Sequence, residues 1–103
     1  MPSLDQLRKL YDADPNDPFV LYALAQEHAR LGQVDESLAH YDRCLSADPA
    51  YCYAYYHKAK VLTSAGREPE AVAVLRAGLA AARQARDNQA QSEISAFLDE
   101  LTP

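Results

Sequence analysis

Two stretches of the chain decide the fold: residues 14–32 read DPNDPFVLYALAQEHARLG, and residues 48–66 read DPAYCYAYYHKAKVLTSAG. Both stretches open on an Asp-Pro pair, continue through apolar residues at helical spacing and end on a glycine. The shift that places the first stretch on the second also places Glu36 on Glu70 and Leu45 on Leu79. Self-similarity at a fixed period of roughly 20–50 residues is the mark of a repeat architecture. The sequence therefore predicts a repeated helical hairpin.

Local signals predict helices along the whole chain, and no alternating run of β-branched and polar residues predicts a strand. Ser3 opens a capping-box pattern before the first apolar face. Asp17 followed by Pro18 has the residue types that favour a helix start, and Gly32 and Gly66 favour helix ends. Because hairpins of this kind bury their apolar faces by stacking, we predict an all-α chain of about six helices, an α-solenoid of antiparallel helix hairpins.

Composition excludes several classes of protein. The chain has 103 residues, a net charge of −5, 49% hydrophobic residues and two cysteines. This balance is unlike that of a disordered chain, and two cysteines cannot form a disulfide framework, which indicates a reducing compartment. No apolar run approaches the ~18 residues that span a bilayer, and the first residues lack a secretion-signal pattern. We therefore expect a cytoplasmic protein with no membrane association.

The charges are unevenly spread along the chain. Residues 51–86 hold six basic and two acidic residues, whereas residues 87–103 hold four acidic residues and no Lys or Arg. Residues 1–50 hold four basic and nine acidic residues. A basic middle segment in an acidic chain is a mild indication of an anionic partner for that segment.

A helical hairpin that repeats about every 34 residues with these residue types resembles the tetratricopeptide repeat family, in a small bacterial-type form. The family pattern has a large residue, a leucine, a small residue and an aromatic on the first helix, followed by a glycine. The first repeat has Leu21, Leu24, Ala25, His28 and Gly32 there, and the second has Tyr55, Lys58, Ala59, Leu62 and Gly66. The resemblance implies a single domain 1–103: a half-repeat helix at 3–15, repeats at 18–51 and 52–85, and a capping helix at 87–101.

Several residues depart from the family pattern. His28 and Leu62 replace the aromatic, and Lys58 replaces a leucine that is normally buried. Because a bare buried ammonium is costly, we expect Lys58 to reach solvent or a carboxylate. Arg83 replaces the closing proline, so we expect only a weak break before the last helix. Gly78 lies in the middle of a helix, where glycine costs about 1 kcal/mol relative to alanine, which indicates a packing reason.

The resemblance implies a concave groove along the first helix of each repeat, and a non-enzymatic scaffold or adaptor that binds a peptide or partner helix there. The family positions that point into the groove, with one flanking position, are Phe19, Tyr22, Gln26, Arg30, Tyr53, Tyr56, His57, Lys60 and Ser64. Aromatic residues and arginine supply much of the contact energy at interfaces. A partner with an acidic or carboxylate group would pair with Arg30 and Lys60. The alternative is that Tyr53 and Tyr56 merely cover the seam between hairpins.

The specialised chaperone-tail form of this fold holds two carboxylates with a lysine and an asparagine. Tyr22 and Gln26 occupy those two places in the first repeat, and the chain has no third full repeat to supply the remaining bases. We therefore do not expect that specialised function.

The sequence predicts no catalytic residue, no metal ligand and no cofactor. His28, His40 and His57 lack the spacing that makes a zinc site recognisable, and we interpret His28 as a core histidine. Cys44 occupies a position where the family has a small packed residue, and we interpret it as a buried thiol. No glycine-rich phosphate loop of the usual patterns occurs.

Three other functions stay open as weaker hypotheses. The chain could form a homo-oligomeric structural module through its last helix or an exposed seam. Residues 51–60 mix aromatics with bases, as in RNA-stacking segments, but helical spacing scatters them and the chain is acidic, so we expect no nucleic-acid partner. The third is an enzyme that uses His28, His57 or Cys44.

Overall fold

The computed structural model describes residues 2–103, and these residues form six α-helices and no strand. In chain order the helices are α1 (Leu4–Ala13), α2 (Pro18–Arg30), α3 (Val34–Ala47), α4 (Cys52–Ser64), α5 (Glu68–Gln84) and α6 (Asn88–Leu101). The predicted all-α class is confirmed. The chain divides between Pro49 and Ala50 into two compact units, with α1 to α3 in the first unit and α4 to α6 in the second.

Side-chain caps fix where helices of the first unit begin. Ser3 Oγ accepts a hydrogen bond from the Gln6 backbone N–H at 3.2 Å, and Gln6 Oε1 accepts one from the Ser3 N–H at 2.8 Å. The capping box predicted at Ser3 is therefore present. Asp17 caps α2 by accepting a hydrogen bond from the Phe19 N–H at 3.0 Å, with Pro18 as the first helical residue. This cap places Phe19 in the first turn of α2.

A glycine ends the first helix of each hairpin in the same geometry. Gly32 and Gly66 both have φ +75°, in the left-handed region that glycine adopts without strain. After Gly32 the Gln33 N–H donates to the His28 carbonyl at 2.9 Å, and after Gly66 the Arg67 N–H donates to the Leu62 carbonyl at 2.8 Å. The chain thus reverses twice by the same helix-ending bond pattern, at equivalent positions of the two repeats.

The core of the first unit lies along α2, which packs against both α1 and α3. Leu7 of α1 is buried in a cluster with residues of α2, among them Val20 and Leu24. On the side of α3, Ser37 occupies a fully buried position, and its hydroxyl donates to the Ala25 carbonyl at 2.8 Å. A serine is tolerated there because its polar group has a partner.

The core of the second unit lies along α5, which packs against both α4 and α6. All three helices contribute fully buried side chains, which include Ala54, Ala59, Leu62, Ala71, Leu75, Ala82, Ala90 and Ile94. Gly78 lies against Tyr55 of α4 and Ile94 of α6, which is the packing reason expected for a glycine in mid-helix.

The break between α5 and α6 is a full turn rather than a weak one. Arg86 adopts φ +56°, in the left-handed region, and the Asp87 N–H donates to the Ala82 carbonyl at 3.0 Å. Asp87 then caps α6 by accepting a hydrogen bond from the Ala90 N–H at 3.0 Å. An arginine therefore stands where the two hairpin turns have glycine.

Lys58 is half-buried rather than buried. The hydrogen bond and the charge of Arg67 are the larger causes that lower the pKa of Glu70, and the positive charge of Lys58 lowers it further. The ammonium therefore lies within electrostatic reach of a carboxylate of α5, as expected for a lysine that replaces a core leucine.

None of the helices formed by residues 2–103 is long and apolar enough to cross a bilayer.

Candidate functional site

None of the nine side chains predicted at the groove positions is buried. Phe19, Arg30, Lys60 and Ser64 are exposed, and Phe19 keeps 61% of its surface in solvent. The remaining five are half-buried: Tyr22, Gln26, Tyr53, Tyr56 and His57. An exposed phenylalanine is the notable member, because large apolar side chains are mostly inside a folded chain.

On α2, contacts with neighbouring residues hold Tyr22 in place. Its hydroxyl accepts a hydrogen bond from Gln26 Nε2 at 3.2 Å, one helical turn further along. Its ring meets the ring of the buried Tyr41 of α3 edge-on, with centroids 6.1 Å apart. The ring and the hydroxyl of Tyr22 are therefore held by contacts within the first unit.

Arg30 already pairs with a carboxylate of its own helix. Its Nε donates to both carboxylate oxygens of Glu27 at 3.1 Å, and its Nη2 makes a third bond to the same group. Glu27 is only 4% exposed, and the hydrogen bond from Arg30 is the main cause that lowers the pKa of Glu27. The structure therefore gives no support to the expectation that Arg30 pairs with a carboxylate of a partner.

On α4, Tyr56 lies at the centre of a group of rings and charges. Its ring meets His57 at 5.3 Å and Phe97 of α6 at 5.4 Å, both edge-on. Lys60 Nζ lies 5.9 Å from the centre of the Tyr56 ring, within the range of a cation–π contact. Burial lowers the pKa of His57, and the positive charge of Lys60 adds to that effect. The ring of His57 is thus favoured in its neutral form.

An open pocket of about 310 Å³ lies over Tyr56, between α4 and α6. Its lining is Tyr56, Lys60, Glu93, Ala96, Phe97 and Glu100. Glu93 also accepts a hydrogen bond from the hydroxyl of Tyr53. Burial is the main cause that raises the pKa of Tyr53, and this hydrogen bond raises it further. The second unit therefore brings Tyr53, Tyr56 and Lys60 together around α6.

The residues of α6 in this pocket were missed by sequence reasoning. None of Glu93, Phe97 and Glu100 is among the residues predicted for the groove. Their spacing does carry a signal, because Glu93, Phe97 and Glu100 follow one another at the i, i+4, i+7 positions that share one face of a helix. The ring that Phe97 contacts lies on α4, with the whole of α5 between them in the chain. No local pattern therefore predicts the pairing.

His28, His40 and Cys44 fill structural positions. His28 is buried, its Nδ1 donates to Gln33 Oε1 at 2.6 Å, and its ring stacks on His40 with centroids 4.9 Å apart. The interpretation of His28 as a core histidine is confirmed. Cys44 is fully buried, and burial raises the pKa of its thiol to about 11. Residues 2–103 contain no group of three or more His, Cys, Asp or Glu residues arranged to hold a metal ion.

Comparison with known proteins gives the family. A tetratricopeptide repeat family model matches residues 18–51. The crystal structure of a tetratricopeptide repeat domain protein from Salinibacter ruber is 30% identical, with a TM-score of 0.76, over 84% of this chain and 96% of that one. The chain belongs to the tetratricopeptide repeat family. The solution structure of the same Salinibacter protein gives 32% identity and a TM-score of 0.78, over 85% of this chain and 89% of that one.

Two further matches are more distant or more partial. PcrH, solved in complex with the chaperone binding region of PopD, has a TM-score of 0.87 and 18% identity, over 96% of this chain and 75% of PcrH. The likeness to PcrH shows the tetratricopeptide fold alone. U-box domain-containing protein 70 of rice (Oryza sativa subsp. japonica) is 38% identical over 66 residues, which are 64% of this chain and 8% of the rice protein. The chain therefore spans a small part of that relative. The tetratricopeptide repeat is in general a non-catalytic protein-interaction fold.

Proposed function

We propose that this tetratricopeptide chain is a protein-interaction module that binds a segment of a partner protein, with Phe19 on α2 as a contact of the first unit and Tyr56 on α4 as a contact of the second. The observation that carries the proposal is the exposure of Phe19, 61% in solvent, in a helix whose other face is buried. Burying one such side chain on binding contributes about 1.5–3 kcal/mol. On α4, Tyr56 offers a second aromatic contact beside an open pocket.

The comparisons support a role of this kind. PcrH, which shares the fold, was solved with a segment of another protein, PopD. Aromatic side chains such as Phe19, Tyr22 and Tyr56 add large contact area for little lost side-chain freedom. Tyr22 is already held by Gln26 and Tyr41, so a partner that contacts it would lose less entropy on binding than with a mobile side chain.

The test uses peptides selected on the chain itself. A library of random dodecapeptides displayed on phage is selected against the immobilised chain, and the enriched peptides are measured by fluorescence anisotropy. The double variant Phe19→Ala/Tyr56→Ala should weaken binding by at least about tenfold, as expected when two interface anchors are truncated. Leu31→Ala is the matched control, because Leu31 is an apolar side chain of similar exposure at the end of α2.

Two results would contradict the proposal. One is that no peptide is enriched above an empty surface, and the other is that the double variant binds as well as the Leu31→Ala control. Circular dichroism of each variant checks that the helices are intact. Sedimentation across a concentration series tests the alternative of self-assembly, which predicts a sedimentation coefficient that rises with concentration. The module proposal predicts a constant one.

A further inference from the structure

The pocket between α4 and α6 has an ordered arrangement of side chains. Three pairs of residues, each with one member on α4 and one on α6, follow one another along the two helices. Tyr53 and Glu93 share a hydrogen bond, Tyr56 and Phe97 share a ring contact, and Lys60 and Glu100 both line the pocket. Residue numbers rise together on both helices, so α4 and α6 run in the same direction here. The aromatic pair forms the middle of the pocket, with a carboxylate one turn before it and another one turn after it.

The charge of this pocket favours a cation. Its lining holds two carboxylates, Glu93 and Glu100, against one ammonium, that of Lys60. On the α6 side the charge is wholly acidic, because residues 87–103 contain four acidic residues and no Lys or Arg. Lys60 itself lies within cation–π distance of Tyr56, so a cation bound on that ring face would have to displace the Lys60 ammonium.

The shape and the chemistry together favour arginine among cations. A guanidinium is planar, stacks on aromatic faces and pairs with carboxylates, and it is less strongly hydrated than an ammonium. A pocket of about 310 Å³ has room for one long side chain. Glu93 is oriented by the Tyr53 hydroxyl, and Glu100 is exposed near the end of α6.

We propose that this pocket binds an arginine side chain of the partner segment, with the guanidinium stacked on the Tyr56 ring beside Phe97 and paired with Glu100. The proposal rests on the proposed interaction function and assigns the chemistry of its anchor in the second unit. It reverses the sequence-based expectation for this helix, in which Lys60 would hold an acidic group. Lys60 becomes a competitor of the bound arginine rather than its partner.

Three probe peptides test the charge preference directly: acetyl-Leu-Arg-Leu-amide, the same peptide with the neutral isostere citrulline, and the same peptide with glutamate. Each is titrated into the isotopically labelled full chain and followed by proton–nitrogen NMR. The arginine peptide should bind about fivefold more tightly than the citrulline peptide, the range of one exposed ion pair with a ring contact. The shifted amides should centre on Tyr56 and Phe97, and added salt should reduce the preference.

Two variants separate arginine binding from carboxylate binding. Glu100→Gln keeps the shape of the side chain and removes its charge, so it should abolish the preference for arginine over citrulline. Lys60→Met removes the competing ammonium and should strengthen arginine binding a few-fold. Tightest binding of the glutamate peptide, with loss of that binding in Lys60→Met, would overturn the proposal, as would equal binding of the arginine and citrulline peptides.

The outcomes also distinguish this proposal from the proposed function. If the selected dodecapeptides depend on Phe19 and Tyr56 but lack arginine and ignore Glu100→Gln, the arginine proposal fails and the interaction function stands. If no dodecapeptide is selected, the interaction function fails. Self-association of the chain that Glu100→Gln abolishes, with no binding of the arginine peptide, would overturn the proposal because the occupant is then a second copy.

Discussion

Gly78 of α5 approaches Tyr55 of α4 so closely that a β-carbon added to the glycine would lie 2.6 Å from Tyr55 Cβ and 3.0 Å from its Cγ. Both distances are shorter than side chains tolerate without a shift, and the first contact is to an atom fixed on the helix backbone. Helix α4 and helix α5 can therefore pack this closely only because Gly78 has no side chain. Because Tyr55 immediately precedes Tyr56, this contact also fixes the helix that carries the pocket.

Gly78→Ala is predicted to destabilise the second unit. On helix propensity alone the change should stabilise α5 by about 1 kcal/mol, but the added methyl group must push α4 and α5 apart, which costs about 1–3 kcal/mol. We expect a lower midpoint in urea unfolding followed by circular dichroism. Ala77→Ser, at the exposed neighbouring position, is the control with little expected effect. A raised midpoint for Gly78→Ala would show that the contact is not close.

Arg86→Gly is predicted to stabilise the chain. Arg86 has φ +56° at the turn between α5 and α6, a region where a side chain costs about 1–2 kcal/mol and glycine does not. Allowing for the greater freedom of glycine in the unfolded chain, we expect a gain of about 0.5–1 kcal/mol in urea unfolding. The reverse change, Gly66→Ala, should lower the free energy of unfolding by about 1–2 kcal/mol. Nothing lies within 4 Å of the added carbon, so this loss comes only from the backbone conformation. The same sign of effect for both variants would contradict this reasoning.

Arg43 is predicted to hold α1 and the following loop in place. Its Nη1 donates to the Tyr11 hydroxyl at 2.8 Å, its Nη2 donates to the Pro15 carbonyl at 3.0 Å, and its guanidinium carbon lies 5.1 Å from the centre of the Tyr11 ring. Arg43→Met should cost about 1 kcal/mol and speed amide hydrogen exchange in α1. Arg76→Met, at an exposed arginine of α5, should leave α1 unchanged. Unaltered hydrogen exchange of α1 in Arg43→Met would show that these hydrogen bonds add nothing to the stability of α1.

Stability is predicted to fall as the pH is lowered from about 7.5 to about 5.5. Burial is the largest cause that lowers the pKa of His40 below its usual 6.5, and it outweighs the hydrogen bond to the Glu36 carbonyl, which raises that pKa; the positive charge of Arg43 adds to the lowering. Burial also lowers the pKa of His57. The unfolded chain therefore binds more protons than the folded chain in this range, so acidification favours unfolding. Urea unfolding at several pH values should show the slope, and His40→Gln should reduce it. A slope of the opposite sign would contradict the direction of these shifts.

Much of the fold was predictable because its signals are local. The caps at Ser3 and Asp17 and the turns at Gly32 and Gly66 each depend on residue types a few positions apart, so a single sequence carries them. Nothing in the residue type marks Arg86 for the left-handed region, since that conformation is set by the packing of α5 and α6. The break there was expected, but its geometry was not.

The candidate site was less predictable because its decisive contacts join distant parts of the chain or depend on burial. The family pattern gave nine positions on α2 and α4, and in the structure four of these side chains are exposed and five are half-buried. It did not show that Arg30 is paired with Glu27, because the burial of Glu27 is set by packing. Nor did it show that Phe97 and Glu100 of α6 complete a pocket over Tyr56.

Chemical-shift mapping with a selected dodecapeptide tests the central claim most directly. The peptide is added to the isotopically labelled full chain, and the shifted backbone amides are assigned along the six helices. We predict that the shifts concentrate on α2 and α4, around Phe19 and Tyr56, with further shifts on α6 around Phe97. Shifts confined to α3 and α5, with those of α2 and α4 unchanged, would contradict it.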